Sequence, residues 1–157
     1  VRKATLDIPV TRLEVEGRGQ AYGFHLLEQA PQPAPVPVAS HLGLAAGAVL
    51  LRLRTLHLAD GRPFLYEDRW LNPGVLPQPV PDFAAVSANE WLVTHVPYTT
   101  GDISFSAANA NPEEAAILGL TPGAALFITE RTTWTDGTPI TLVRLAYAPG
   151  YRLHTTV

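Results

Sequence analysis

The chain has 157 residues, of which 16% are charged and 46% hydrophobic, with a net charge of −3. That is enough for one domain with a real core, and the acidic balance is the reverse of the basic footprint that nucleic-acid binding needs. No run approaches the ~18 continuous apolar residues of a membrane-spanning helix, and the lack of cysteine leaves no disulfide framework or thiol chemistry, a composition that suits the cytoplasm.

Residues 1–19 are mixed and partly polar and read as a connector; with Val1 at the start and no methionine, the chain is expected to be a piece of a longer one. AYGFHLLE (21–28) is expected to be a first strand, and the proline-rich QAPQPAPVPVAS (29–40) an extended surface crossing. SHLGLAAG holds one short helical turn, stopped at Gly43 or Gly47.

VLLRLRTLHL (49–58) and FLYEDRWL (64–71) flank Asp60-Gly61, a strong signal for a type I′ hairpin. SANEWLVTH opens with Ser87 and has Glu90 three residues on, which predicts a capping box. DISFSAAN (102–109) alternates like a strand. NPEEAAILGL places Asn111 at an N-cap, Pro112 at the first helical position and Gly119 at the stop. ALFITERTTW and PITLVRLAY then flank Asp136-Gly137, a second hairpin.

LGLAAGAVLLRLRTLHLADGRP (42–63) and LGLTPGAALFITERTTWTDGTP (118–139) align without a gap at an offset of 76. Two copies are too few for a solenoid. A pair of related helix–hairpin units sharing one antiparallel sheet is the expected architecture.

If Asp60-Gly61 is a two-residue turn, plain outward pairing sets Arg54 opposite Glu67 and Arg52 opposite Arg69. Side-chain alternation then puts Arg52, Arg54, Leu56, Leu65, Glu67 and Arg69 on one face, with His57 and Asp68 as polar exceptions on the other. A one-residue slip would exchange these sets. The charged face is open to two readings, an ordinary solvated surface with cross-strand ion pairs or a pocket for a small anion held by arginine forks. The histidines at 25, 41, 57, 95 and 154 lack metal-ligand spacing. No P-loop, dinucleotide fingerprint or nucleophile elbow is present, and no cofactor is expected.

RLRTLHLADGRPFLYEDRWLNP, SANEWL and ERTTWTDGTPITLVRLAYAPGYRL resemble the UTRA domain, the effector-binding half of GntR-superfamily regulators of the HutC type. The resemblance covers about residues 20–157, leaving 1–19 as a connector from a missing N-terminal winged helix-turn-helix domain. It implies a chorismate-lyase-like α/β (α+β) fold, with an antiparallel sheet and short helices, and a homodimer that meets DNA only through the missing domain. YEDRWLNP, NEWL, RTTW and PGYRL are most similar to the branch that controls histidine utilization. That branch implies urocanate, an imidazole joined to an acrylate, or a related metabolite as effector. Carried over by position, the ligand-binding residues would be Arg52, Arg54, Glu67, Ser87, Asn89, Thr141 and Tyr147. Sugar-phosphate sensors of the family often have Glu where this chain has Thr141 and Tyr where it has Asn89, which argues against such a ligand. An enzyme on the same scaffold is the alternative, though no general base or nucleophile with a partner stands out.

Overall fold

The computed structural model describes residues 7–156, so the first six residues of the expected connector lie outside the described residues. The elements run α1 (Thr11–Gly17), β1 (Tyr22–Pro33), α2 (Val36–Leu42), β2 (Val49–Ala59), β3 (Arg62–Leu71), α3 (Ala88–His95), β4 (Thr100–Asn109), α4 (Pro112–Leu118), β5 (Ala125–Thr135) and β6 (Thr138–Tyr147). The strands form one antiparallel sheet in the order β1-β2-β3-β6-β5-β4. The fold is therefore the expected mixed class.

Local chemistry accounts for most boundaries. Asn111 accepts from the Glu114 N–H while Glu114 reaches back to the Asn111 N–H, a complete capping box. α4 stops at Gly119 and α2 at Gly43, both in the left-handed region. Asp60 and Gly61 both have positive φ, as do Asp136 and Gly137, which fits two type I′ hairpins.

Two readings need correction. The stretch 29–40 is not a plain crossing: β1 continues to Pro33, and α2 begins at Val36. Prolines are tolerated there because β1 is an edge strand and a missing N–H breaks no ladder bond on the open side. Ser87 is the N-cap of α3 but makes no side-chain capping bond, and Glu90 turns to Arg12 instead, with contacts of 2.6–3.2 Å.

The repeat is real in three dimensions. α2, β2 and β3 recur as α4, β5 and β6 at the same offset, and β1 and β4 take matching edges. β3 and β6 meet in the middle, where Asp68 pairs with Arg144, its own counterpart in the second unit. A pseudo-twofold axis passes through that pair.

The sheet has two different faces. One packs against α2 and α4 through Leu42, Leu50 and Trp70 and through Leu118, Tyr66 and Ile128. The other packs against α3 and the segment before it through Leu53, Leu71, Phe83 and Trp91. Only the first unit has that cover; over β4 and β5 the same face meets the chain before α1 and the chain after β6.

The hairpin register differs from plain turn pairing. A bulge between His57 and Leu58 shifts the ladder by one residue, so Arg54 lies opposite Asp68 and Thr55 opposite Glu67. The matching bulge falls between Thr133 and Trp134. Pro63 and Pro139 follow the turns and have no N–H to give a regular ladder, so each hairpin gains its extra residue there. As a result Arg52 and Arg54 share a face with Asp68 and Trp70, while Glu67 and Arg69 share the opposite one with His57.

Candidate functional site: a buried cationic cavity

Arg69, Val143 and Arg131 form one row across β3, β6 and β5. Two strand spacings separate the arginine backbones, about 10 Å, with both side chains on the face that carries α3. Arg69 is 1% exposed and Arg131 4% exposed, so two guanidinium groups are buried together. Such burial is costly unless the charge is paired.

Among the described residues, Arg69 has a carboxylate partner and Arg131 has none. Its Nε donates to Glu67 at 2.7 Å and its Nη1 donates to Thr141 Oγ1 at 3.2 Å. The other Glu67 oxygen meets His57 Nε2 at 2.9 Å, and His57 Nδ1 meets the Tyr22 hydroxyl at 2.7 Å. Burial alone would raise the Glu67 pKa, but the charge of Arg69 and the contact with His57 outweigh it and hold Glu67 well below the usual carboxylate range. Arg69 Nη2 is buried without a hydrogen-bond partner among the described residues.

Arg131 is different. Among the described residues the ion pairs use Arg12, Arg52, Arg54, Arg69 and Arg144, and none uses Arg131. Burial, then repulsion from Arg69, lowers its pKa to about 10. Within the row itself, two arginines face one carboxylate, Glu67, so one positive charge is unmatched there; the larger cavity beyond it also carries the Asp7 and Glu14 carboxylates.

Two cavities meet at Arg131. A slot of about 30 Å³, roughly one water's share of liquid volume, runs between Arg69, Asn89, Thr141 and Ile8. A larger cavity of about 300 Å³ is lined by Arg131, Thr129, Tyr147, Phe105, Glu14 and Tyr151. It is large enough for a small organic acid. Its lining combines aromatic rings with the Arg131 cation from the sheet, the Glu14 carboxylate from α1 and the Asp7 carboxylate before it.

Of the residues carried over from the resemblance, the structure gathers Glu67, Asn89, Thr141 and Tyr147 around this row. Ser87 lies outside both cavities, in a groove with Tyr22 and Arg12. Arg52 and Arg54 are on the opposite face, because the bulge separates them from Glu67. There Arg52 makes a bidentate contact with Asp68 at 2.9 and 3.2 Å and lies over the Trp70 ring. Arg54 pairs with Glu28 and Glu113. The residues that sequence reasoning missed are Arg131 and the pairing of Arg69 with His57 and Glu67. Pro63 was the available signal, since a proline just inside a central strand marks a bulge.

Among the described residues, no cluster of His, Asp or Glu is placed to hold a metal ion, and no helix is long and apolar enough to cross a membrane.

The architecture is that of the effector domains of GntR-family transcription regulators, mixed α/β with one antiparallel sheet. The chain belongs to the UTRA domain family, whose model matches residues 17–151. It is 26% identical over 152 residues to the histidine utilization repressor of Pseudomonas putida, covering 96% of this chain and 61% of that protein. The chain thus spans about three fifths of that relative's length. Among solved structures, the C-terminal domain of the histidine utilization repressor from Pseudomonas syringae pv. tomato superposes with a TM-score of 0.79 at 23% identity, over 87% of this chain and 98% of that one. PhnF from Mycobacterium smegmatis superposes with a TM-score of 0.81 at 22% identity, over 97% of this chain and 69% of that one.

Proposed function

We propose that this chain is the effector-sensing part of a HutC-type repressor in the cytoplasm, with urocanate or a near relative as effector. The observation that carries the ligand class is Arg131, a buried cation without a carboxylate partner among the described residues, at the junction of two cavities. A carboxylate bound there would be paired in a poorly hydrated site, where charge-assisted contacts are strong. The aromatic lining suits a flat body, and Glu14, whose Oε2 accepts from the Tyr151 hydroxyl at 2.9 Å, has its other oxygen to accept from an imidazole N–H. Glu67 has a different role from the one its position first suggested. Both its oxygens are engaged, so it holds Arg69 in place instead of meeting ligand.

The resemblance to histidine utilization repressors adds the rest of the reading. A winged helix-turn-helix domain would lie ahead of the 1–19 connector, the chain would be a homodimer, and DNA would be contacted through that added domain. No catalytic role is proposed, since the relatives it matches are repressors of histidine utilization.

Calorimetric titration of urocanate, with acrylate and imidazole as part-ligands, tests the effector. The expected result is saturable binding of one urocanate per chain and a raised melting temperature, since a ligand of the folded state stabilises it by mass action. Imidazole alone should bind far more weakly than urocanate. Equal, weak binding of all three would refute the assignment.

A further inference from the structure

The walls of both cavities include the chain just before and within α1: Ile8 closes the slot, and Asp7, Pro9 and Glu14 border the larger cavity. This segment is held to α3 at one place. Asn89 Oδ1 accepts from the Thr11 N–H at 2.8 Å, and Asn89 Nδ2 donates to the Pro9 carbonyl at 3.0 Å. Its neighbour Glu90 takes the Arg12 guanidinium. Asn89 is 4% exposed and also lines the slot beside Arg69. One buried amide therefore touches the cavity and clasps the connector.

We infer that cavity occupancy and docking of residues 7–14 are one equilibrium, with Asn89 as its positioning residue, so that a bound anion fastens the connector to the domain. This rests on the proposed anion site. A ligand lying between the sheet and the connector touches both, and what binds the joined state favours joining. Linkage then requires the converse: loosening the connector must weaken the ligand by the same factor. The connector is the segment leading toward residue 1, so its fastening is how occupancy would be felt by whatever lies beyond it.

Two variants loosen the clasp without touching the cavities, since neither Thr11 nor Arg12 lines them. Thr11→Pro removes the donated N–H; proline suits the first helical position, and Val10, at φ −85° and ψ 116°, already has the extended form that precedes proline. Arg12→Ala removes the contact with Glu90. With urocanate as probe, each variant should bind about three- to tenfold more weakly, the worth of roughly one hydrogen bond. In the wild-type chain, saturating urocanate should slow amide hydrogen exchange at residues 11–14, on the order of tenfold. That second measurement needs no variant, and a clasp that served folding alone would leave it unmoved. Tight binding with unchanged or faster exchange at 11–14 overturns the linkage while leaving the anion site standing. No binding of urocanate to wild type or variants overturns both.

Discussion

At the scale of single residues, the molecule separates arginines that look alike in sequence. Arg52 and Arg54 are each paired with carboxylates on the face that carries α2 and α4. Arg131 has a cavity in front of it instead. Replacing it with Met should weaken urocanate by about 2–4 kcal/mol, thirty- to a thousandfold, because the carboxylate loses its charge partner. The same change should leave the melting temperature level or raise it, since an isolated buried charge is a cost to the fold. A clear drop in melting temperature would show that Arg131 serves structure. Arg54→Ala, by contrast, should leave urocanate affinity unchanged.

Glu67 makes a prediction about acid. Its folded pKa is depressed below the unfolded value, near 4.3, so its contribution is present above that value and fades as pH falls through the folded one. Glu67→Gln should destabilise the domain by several kcal/mol at neutral pH, because Arg69 is left buried without a counter-charge. The variant's disadvantage should shrink below pH 4. Urea melts of both proteins from pH 3 to 7 measure this, and a constant difference across that range would sink the argument.

At the scale of elements, the two units predict paired effects. Gly61 has φ +74° and Gly137 φ +81°, with nothing within 4 Å of an added Cβ at either. Alanine there meets backbone strain without a clash, so each substitution should cost about 1 kcal/mol, with the two within a few tenths of each other. Asn111→Ala breaks a completed capping box and should also cost about 1 kcal/mol. Denaturant melts report all three. A large inequality between the glycine variants would mean that the hairpins carry different strain.

The bulges matter more than their size suggests. Without the one at His57 and Leu58, Glu67 would face Arg54 and the side of the sheet that carries α2 and α4. With it, Glu67 and Arg69 turn to the face carrying α3. A single extra residue thus moves a carboxylate and an arginine from one face of the sheet to the other.

At the scale of the whole molecule, the pseudo-twofold sheet has unequal covers. The first unit is sealed by α3 and the segment before it, while the second is closed by the chain before α1 and the chain after β6. A cavity is left where the cover is composite. As a member of a regulator family, the chain is expected to sediment as a dimer at tens of micromolar, because a two-fold operator is read by two heads. A monomer there would count against the proposed homodimer.

Much of this was legible in the linear sequence: two Asp-Gly hairpins, the cap and stop of α4, and the repeat that predicts one sheet from two units. These are local, since turn chemistry and capping depend on residues within a few positions of each other. The family was legible too, because its motifs sit on those same turns. The site was not. Arg69 and Arg131 are 62 residues apart in the chain and meet only because β6 lies between their strands. The face they share depends on a bulge, and side-chain direction reverses with every residue gained or lost. Only the tertiary structure decides which arginine finds a carboxylate and which is left facing a cavity, because that is set by what packs across the sheet.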